Sequence, residues 1–277
     1  AASYAEVVAD PEVDVVYNPL VNGLHGPWNL AAIAAGKHVL TEKPSAANRE
    51  EAAEVRDAAA RAGVVFMEGF HYLFHPVSRR LRELVASGEL GEVRHVTAAF
   101  KVPGPGPDDP RWSLELAGGA LMDLGVQVLD LCLWLLGYPQ VKRVVAHTHR
   151  GEGTEVEDAA TVLVGLENGC SLSVAVSWSL VSQRDRHYVR LLGTRGTASL
   201  SPLAVYKELE HRVLDVTPQL PPGEENVYTA SYREELMHFV GVVQGERPIE
   251  LPYEQADLMR LIALAYQSAE EGREIEA

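Results

Sequence analysis

An α/β chain is predicted, with a parallel sheet in its first third and a large, open, mostly antiparallel sheet in the α+β part that follows. Three observations carry this. Short apolar runs at residues 13–17, 38–41 and 64–67 alternate with helical stretches at 28–35 and 49–62, and short strand–helix–strand links make right-handed parallel crossovers. From Glu92 onward the apolar residues alternate with period two, and turn residues rather than helices separate the runs. The run at 118–137 is apolar nearly all round, which marks a helix buried between layers. The parallel part is expected to cover 1–92 and the second part 93–277, in line with 277 residues and about 150 per domain.

In order along the chain, Ser3-Tyr4-Ala5-Glu6 reads as a Ser-x-x-Glu cap for a short helix to about Ala9. Asp10-Pro11-Glu12 turns into the strand at 13–17, which runs out into Asn18-Pro19-Leu20-Val21-Asn22-Gly23-Leu24-His25, a loop at the carboxyl edge of the sheet. The helix at 28–35 closes on Gly36, and the strand at 38–41 ends in Glu42-Lys43-Pro44. Proline fixes its own φ and keeps the residue before it out of the helical region, so Lys43 is expected extended at the strand's end. Asn48-Arg49-Glu50-Glu51 caps the helix at 49–62, Gly63 closes it, and the strand at 64–67 leads to Glu68-Gly69-Phe70-His71. Pro76 opens an amphipathic helix to Ala86.

The second part should hold strands at 93–101, 141–149, 159–166, 171–178, 188–192 and 197–200, then helices at 231–244 and 253–271. Glu167-Asn168-Gly169 is a hairpin turn, and Pro103-Gly104-Pro105-Gly106-Pro107 a rigid exposed loop. On the strand at 171–178, Leu172, Val174, Val176 and Trp178 share one face, while Ser171, Ser173, Ser177 and the following Ser179 share the other. Such a small, mildly polar outer face suits another subunit as well as solvent.

Apolar residues make up 47% of the chain and charged ones 23%, the balance of an ordinary folded protein. A net charge of −15 disfavours nucleic acid and anionic membranes as partners, because both repel it. Cys132 and Cys170 lie in apolar contexts and read as reduced core thiols of a cytoplasmic protein. Ala1-Ala2-Ser3-Tyr4-Ala5-Glu6 lacks the basic start and apolar core of a secretory signal.

Ligands of open α/β sheets bind outside the carboxyl ends of the strands. A lysine held there can donate a proton or orient a carbonyl; a solvated Glu42–Lys43 surface pair is the alternative. On the buried helix, Asp123, Gln127 and Asp130 fall at i, i+4 and i+7, one stripe. A buried carboxylate is costly without a partner, so Asp123 should be paired or face a wet cleft; Asp130 reads as structural. His71 and His75 would share a face only in a helix, which Pro76 disfavours, and no nearby acid completes a metal set. His147 and His149 read as surface residues of one strand.

Several segments together resemble the glucose-fructose oxidoreductase / inositol dehydrogenase / MocA family. They are Asp10-Pro11-Glu12-Val13-Asp14-Val15-Val16-Tyr17, Asn22-Gly23-Leu24-His25, Ala35-Gly36-Lys37-His38-Val39-Leu40-Thr41-Glu42-Lys43-Pro44, Gly118-Gly119-Ala120-Leu121-Met122-Asp123-Leu124-Gly125 and Gly193-Thr194-Arg195-Gly196-Thr197. The resemblance implies a Rossmann domain for NAD or NADP, a second domain whose open sheet makes a homodimer or homotetramer, and oxidation or reduction of a hydroxyl–carbonyl pair on a sugar, cyclitol or related diol. It implies catalytic roles for Lys43, Asp123 and Gln127. It places Leu20, Asn22, His25, Glu42, Lys43, Arg111 and Trp112 near the cofactor, with Glu42 turned from Lys43 toward the ribose or nicotinamide amide. Arg184, Arg186 and His187 are candidates to reach substrate.

Two departures stand out. The chain has no G-x-G-x-x-G, and the resemblance sets that strand and glycine turn roughly fifty to sixty residues before Ala1. Only the later part of the Rossmann domain is therefore expected here. Where the family helix reads Asp-x-x-x-His or Asp-x-x-x-Tyr, this one reads Asp123-Leu124-Gly125-Val126-Gln127. Glutamine hydrogen-bonds but exchanges no proton, so Lys43 becomes the leading acid/base, best served by burial or a neighbouring cation. The alternative is a non-catalytic relative that binds a ligand or dinucleotide and acts through a partner.

Overall fold

The computed structural model describes residues 3–180, 187–200, 202–218, 227–249 and 255–277. Helix α1 (Tyr4–Ala9) precedes a parallel sheet of β1 (Val15–Asn18), β2 (His38–Glu42) and β3 (Phe66–Gly69), in that order across the sheet. Helices α2 (Asn22–Ala34) and α3 (Arg49–Ala62) are its crossovers. Asn48 caps α3 by accepting the Glu51 N–H, and Gly63 ends it in the left-handed conformation. Ala32, Ile33, Val39, Val55, Ala59 and Phe66 form the apolar layer between sheet and crossovers.

A 3₁₀ turn (His71–Phe74) and α4 (Pro76–Ala86) lead into the second sheet. Its strands are β4 (Val93–Lys101), β5 (Val141–His149), β6 (Ala159–Leu166), β7 (Ser171–Ser177), β8 (His187–Gly193), β9 (Gly196–Leu200), β10 (Leu203–Leu209), β11 (Arg212–Asp215) and β12 (Ile275–Glu276). They lie in the order β11-β10-β9-β8-β4-β7-β6-β5-β12, and among the described residues only β4 and β7 of this sheet pair in parallel. Helix α5 (Val126–Leu135) packs on β4 and β7 and is covered by α4 and by α7 (Gln255–Glu271), while α6 (Val227–Val243) packs on the 3₁₀ turn. Val126, Leu129, Leu131 and Trp134 are buried, as are Leu172, Val174, Val176 and Trp178 facing them. Each such side chain contributes about 1.5–3 kcal/mol over its exposed state. Leu40 and Met67 join the same cluster, so the apolar core runs unbroken from one sheet to the other. Among the described residues no helix is long and apolar enough to cross a membrane.

The expected α/β class with a parallel sheet and a larger, mostly antiparallel one is what folds. Four details differ. Helix α2 starts at Asn22, not at 28, so His25 lies on a helix with Pro27 inside it. The first-turn N–H groups of a helix have no internal partner in any case, and Gly23 donates its own to the Leu116 carbonyl, 2.9 Å away. The run at 118–137 is helical from Ala120 to Leu135, but not α throughout: Leu121–Gly125 is a π turn that continues into α5. Strands β10 and β11 form a hairpin whose turn residues, Glu210 and His211, hold positive φ of 49° and 62° without the usual Asn or Gly. Ser177 is buried rather than outward, because its Oγ accepts the N–H groups of Ser179 and Leu180. Arg184 and Arg186 lie outside the described residues, and His187 begins β8.

Candidate active site

The segment after β2 carries Lys43 out of the sheet through a cis Lys43–Pro44 bond. Polar side chains from three elements, all buried but Glu51, tie it down. The Asn29 amide donates to the Ser45 carbonyl at 2.9 Å and to Thr41 Oγ1 at 3.2 Å. Glu68 at the end of β3 accepts the Ser45 N–H at 2.8 Å, and Glu51 of α3 accepts that of Ala47 at 2.7 Å. His25 sets Nδ1 2.6 Å from the Pro44 carbonyl and Nε2 2.7 Å from that of Leu20. Burial lowers the imidazole pKa, against the upward pull of those two carbonyls. A buried donor or acceptor left alone costs about 1–3 kcal/mol, so each of these bonds resists displacement of the segment.

Lys43 Nζ thereby reaches Asp123, 80 residues away, donating to its backbone carbonyl at 2.6 Å and to Oδ1 at 2.9 Å. The side chains are 17% and 14% exposed, so the pair lies at the wet margin of the core. The π turn sets up this meeting. Val126 N–H reaches back five residues to the Leu121 carbonyl, and the wider turn breaks the i, i+4, i+7 alignment expected of Asp123, Gln127 and Asp130. Asp123 faces the cleft. Asp130 instead is buried, accepting hydroxyl bonds from Tyr72 at 3.1 Å and Tyr138 at 3.0 Å, and burial pushes its pKa up to about 7. Gln127 is half-buried, and its amide has no hydrogen-bond partner among the described residues.

The start of the π turn is clamped from outside. Glu157 Oε1 accepts the Leu121 N–H at 2.8 Å and the Tyr266 hydroxyl at 3.0 Å, and its backbone carbonyl accepts the Ala120 N–H. Just before it, a Cβ on Gly118 would stand 2.2 Å from the Arg111 carbonyl oxygen and 2.8 Å from that of Ser113. Both obstacles are backbone. Gly118→Ala is therefore expected to shift the Arg111 segment, to cost about 1–3 kcal/mol of stability, and to lower turnover. Denaturant unfolding beside a rate assay checks both, and an unchanged midpoint would contradict the clash.

Arg111 stands beside the pair, with Nη1 3.6 Å from Asp123 Oδ2. Its Nε and Nη2 donate to the two oxygens of Asp109, each at 2.9 Å, and Asp109 also accepts the Arg111 N–H. Asp109 raises the guanidinium pKa, and Arg111 in turn lowers that of the Asp109 carboxyl.

A cavity of about 320 Å³ opens between the two sheets at this point. Of the residues expected there, Leu20, Asn22, His25, Glu42, Lys43, Arg111 and Asp123 line it, joined by Val21, Asp109, Pro110 and Leu116. Gln127 and Trp112 are not on its wall; the Trp112 indole donates to the Gly106 carbonyl at 3.0 Å and packs on Trp178. Glu42 turns away from Lys43 and accepts the Tyr17 hydroxyl at 2.7 Å. The ion touching Lys43 is the Asp123 carboxylate, and the cation of the same wall, Arg111, stands on the other oxygen of that carboxylate. Asp109 had a local sign in the sequence, since Asp before Pro caps a 3₁₀ turn (Pro110–Trp112), but its grip on Arg111 had none. His71 and His75 diverge: the first contacts Ser231 and stacks on Tyr232, and the second accepts the Val77 N–H to cap α4.

Residues 1–70 match the family model described as oxidoreductase family, NAD-binding Rossmann fold, and residues 78–199 match that of the GFO/IDH/MocA C-terminal domain. The chain is 37% identical over 277 residues to D-xylose 1-dehydrogenase (NADP(+)) 2 of Haloferax volcanii, covering 99% of this chain and 83% of that one. It is 32% identical over 288 residues to D-glucoside 3-dehydrogenase of Escherichia coli K12, covering 96% and 79%. Among solved structures it is similar to GenD2 from gentamicin A biosynthesis in complex with NAD, with a TM-score of 0.84, 30% identity, and 100% of this chain and 82% of that one covered.

Proposed function

Because this chain belongs to the GFO/IDH/MocA oxidoreductase family, we propose that Lys43 is the acid/base that holds and moves the hydroxyl proton of a sugar or related polyol. The protein is an NAD(P)-dependent oxidoreductase acting on CH–OH groups. The observation that carries the proposal for Lys43 is its ammonium fixed on Asp123 at the mouth of a cavity outside the carboxyl ends of parallel strands. Asp123 orients the ammonium. A substrate hydroxyl entering the cavity exchanges one Lys43 hydrogen bond for its own; on oxidation Nζ first releases a proton to water and, as the neutral amine, takes the hydroxyl proton, and on reduction the ammonium gives its proton to the forming alkoxide. Gln127 serves as a hydrogen-bonding contact farther along the helix, without a proton to exchange.

The residues present fit the nicotinamide end of the cofactor. Leu20, Asn22 and His25 follow β1, Glu42 and Lys43 end β2, and Arg111 closes the far wall. The cofactor, when bound, supplies the hydride acceptor or donor. Each ring nitrogen of His25 lies against a backbone carbonyl, and the neutral ring donates to one of the two, which makes it a brace between the Leu20 and Pro44 segments rather than a proton carrier. In the same reading, residues 1–92 serve the cofactor and 93–277 the substrate and assembly. The outer face of the larger sheet, where Val145, Leu163 and Tyr206 are exposed, joins copies into a homodimer or homotetramer. A cytoplasmic location accords with two free, buried cysteines, Cys132 and Cys170.

The test is to supply the protein with NAD or NADP and a panel of aldoses, glycosides and cyclitols, and to follow the reduced-nicotinamide absorbance. Turnover of at least one is expected. Failure with both dinucleotides and in both directions would refute the assignment.

A further inference from the structure

Both cations of the cavity, Lys43 and Arg111, are already engaged by carboxylates of the same wall. Glu42, Asp109 and Asp123 outnumber them, three to two. Arginine is the side chain best shaped to grip a carboxylate or phosphate, through two parallel N–H donors. In this site Asp109 occupies that fork, one oxygen on Nε and the other on Nη2, both at 2.9 Å. The same carboxylate accepts the Arg111 N–H, so the 3₁₀ turn that presents the guanidinium also presents its blocker. The remaining amino group, Nη1, points at Asp123. Arg111 is 45% exposed, so it is shielded by its partner rather than by burial.

Resting on the proposed sugar oxidoreductase activity, we infer that Asp109 is a specificity-determining residue, which confines the cavity to uncharged polyhydroxy substrates and turns away sugar acids and sugar phosphates. An incoming carboxylate or phosphate finds neither cation free and meets three like charges. A neutral hydroxyl finds carboxylate oxygens that accept its hydrogen bond at no such cost. The effect is electrostatic and is weakened by salt.

The experiment compares kcat/KM on matched pairs, D-glucose with D-glucose 6-phosphate and D-galactose with D-galacturonate, for wild type, Asp109→Asn and Asp109→Ser. Both replacements keep an oxygen to cap the turn, so a folding defect in one leaves the other to report. Wild type is expected to prefer the neutral member by about a hundredfold, a preference that narrows with added salt. In the variants the ratio of anionic to neutral kcat/KM should rise about tenfold or more, mainly through a lower KM for the anion. Adding Arg111→Gln should cancel that gain. A purely structural role for Asp109 would lower both members alike, and that result overturns the inference. So does wild-type turnover of the anionic member within threefold of the neutral one, which leaves the oxidoreductase reading standing. Absence of turnover on every sugar with either dinucleotide overturns that reading and the inference with it.

Discussion

Lys43→Met is expected to lower turnover by about 10²–10⁴-fold, the usual worth of a positioned acid/base, while the fold survives. Methionine keeps most of the unbranched stem but has no ammonium. Lys43 lies at the margin of the core, 17% exposed, and the segment behind it is held by His25, Asn29 and Glu68 through the backbone of Pro44 and Ser45, none of which the substitution touches. Asp123 loses its nearer cation and keeps Arg111 at 3.6 Å. The unfolding midpoint should therefore move by no more than the equivalent of about 1–2 kcal/mol. Loss of an acid/base acts on the chemical step, so kcat should fall far more than KM rises. A variant retaining near wild-type kcat on an accepted sugar would remove Lys43 from this role.

Raising the pH from about 6.5 to 8.5 is expected to cost stability, with Glu68 and Glu235 responsible for the largest shares. Burial pushes the Glu68 carboxyl up to about 8 from an ordinary 4.5, against the pull of the Ser45 bonds, and its Oε2 has no partner among the described residues. Burial likewise pushes Glu235 up to about 8 and Asp130 to about 7. A carboxyl whose pKa rises on folding binds its proton more tightly in the native state. Its contribution is complete below the ordinary carboxyl range and is lost as pH climbs through the native value. For Glu68 the whole span is worth up to about 4–5 kcal/mol, of which about 2 kcal/mol falls above pH 6.5. His25 and His75 act oppositely: burial lowers both, so their contribution is lost as pH falls below about 6.5. The upper window is free of them. Denaturant titrations at pH 6.5, 7.5 and 8.5 should show the decline, and Glu68→Gln, which keeps an acceptor for the Ser45 N–H, should flatten it. An identical slope in the variant would mean that Glu68 is ionised in the native protein.

The parallel sheet was legible because its signals are local. Gly36 and Gly63 close helices, Asn48 caps one, and Pro44 follows the strand that delivers Lys43. The placement of Lys43 and Glu42 followed from strand ends, while that of Asp123 about the same cavity followed from the family resemblance, which sets the buried helix at the cleft. The π turn was not legible, since Leu121–Gly125 carries no residue that announces an extra step, and it alone separates Asp123 from the buried Asp130. Nor was the β10–β11 hairpin, whose Glu210–His211 turn adopts positive φ without glycine or asparagine. Asp109 escaped for a different reason: its importance lies in a side-chain contact with Arg111, and periodicity is blind to such contacts.

The parallel pairing of β4 with β7 bears on how the chain reaches this state. β4 lies between β8 and β7, both of which follow it distantly; His95 and Ser171, partners across β4 and β7, are 76 residues apart. During synthesis β4 emerges with both edges open and waits through all of α5, β5 and β6 for its first neighbour. Contacts of such long range close slowly, so the middle of the larger sheet is the late event of folding and the interval in which a nascent chain most needs a chaperone's shelter.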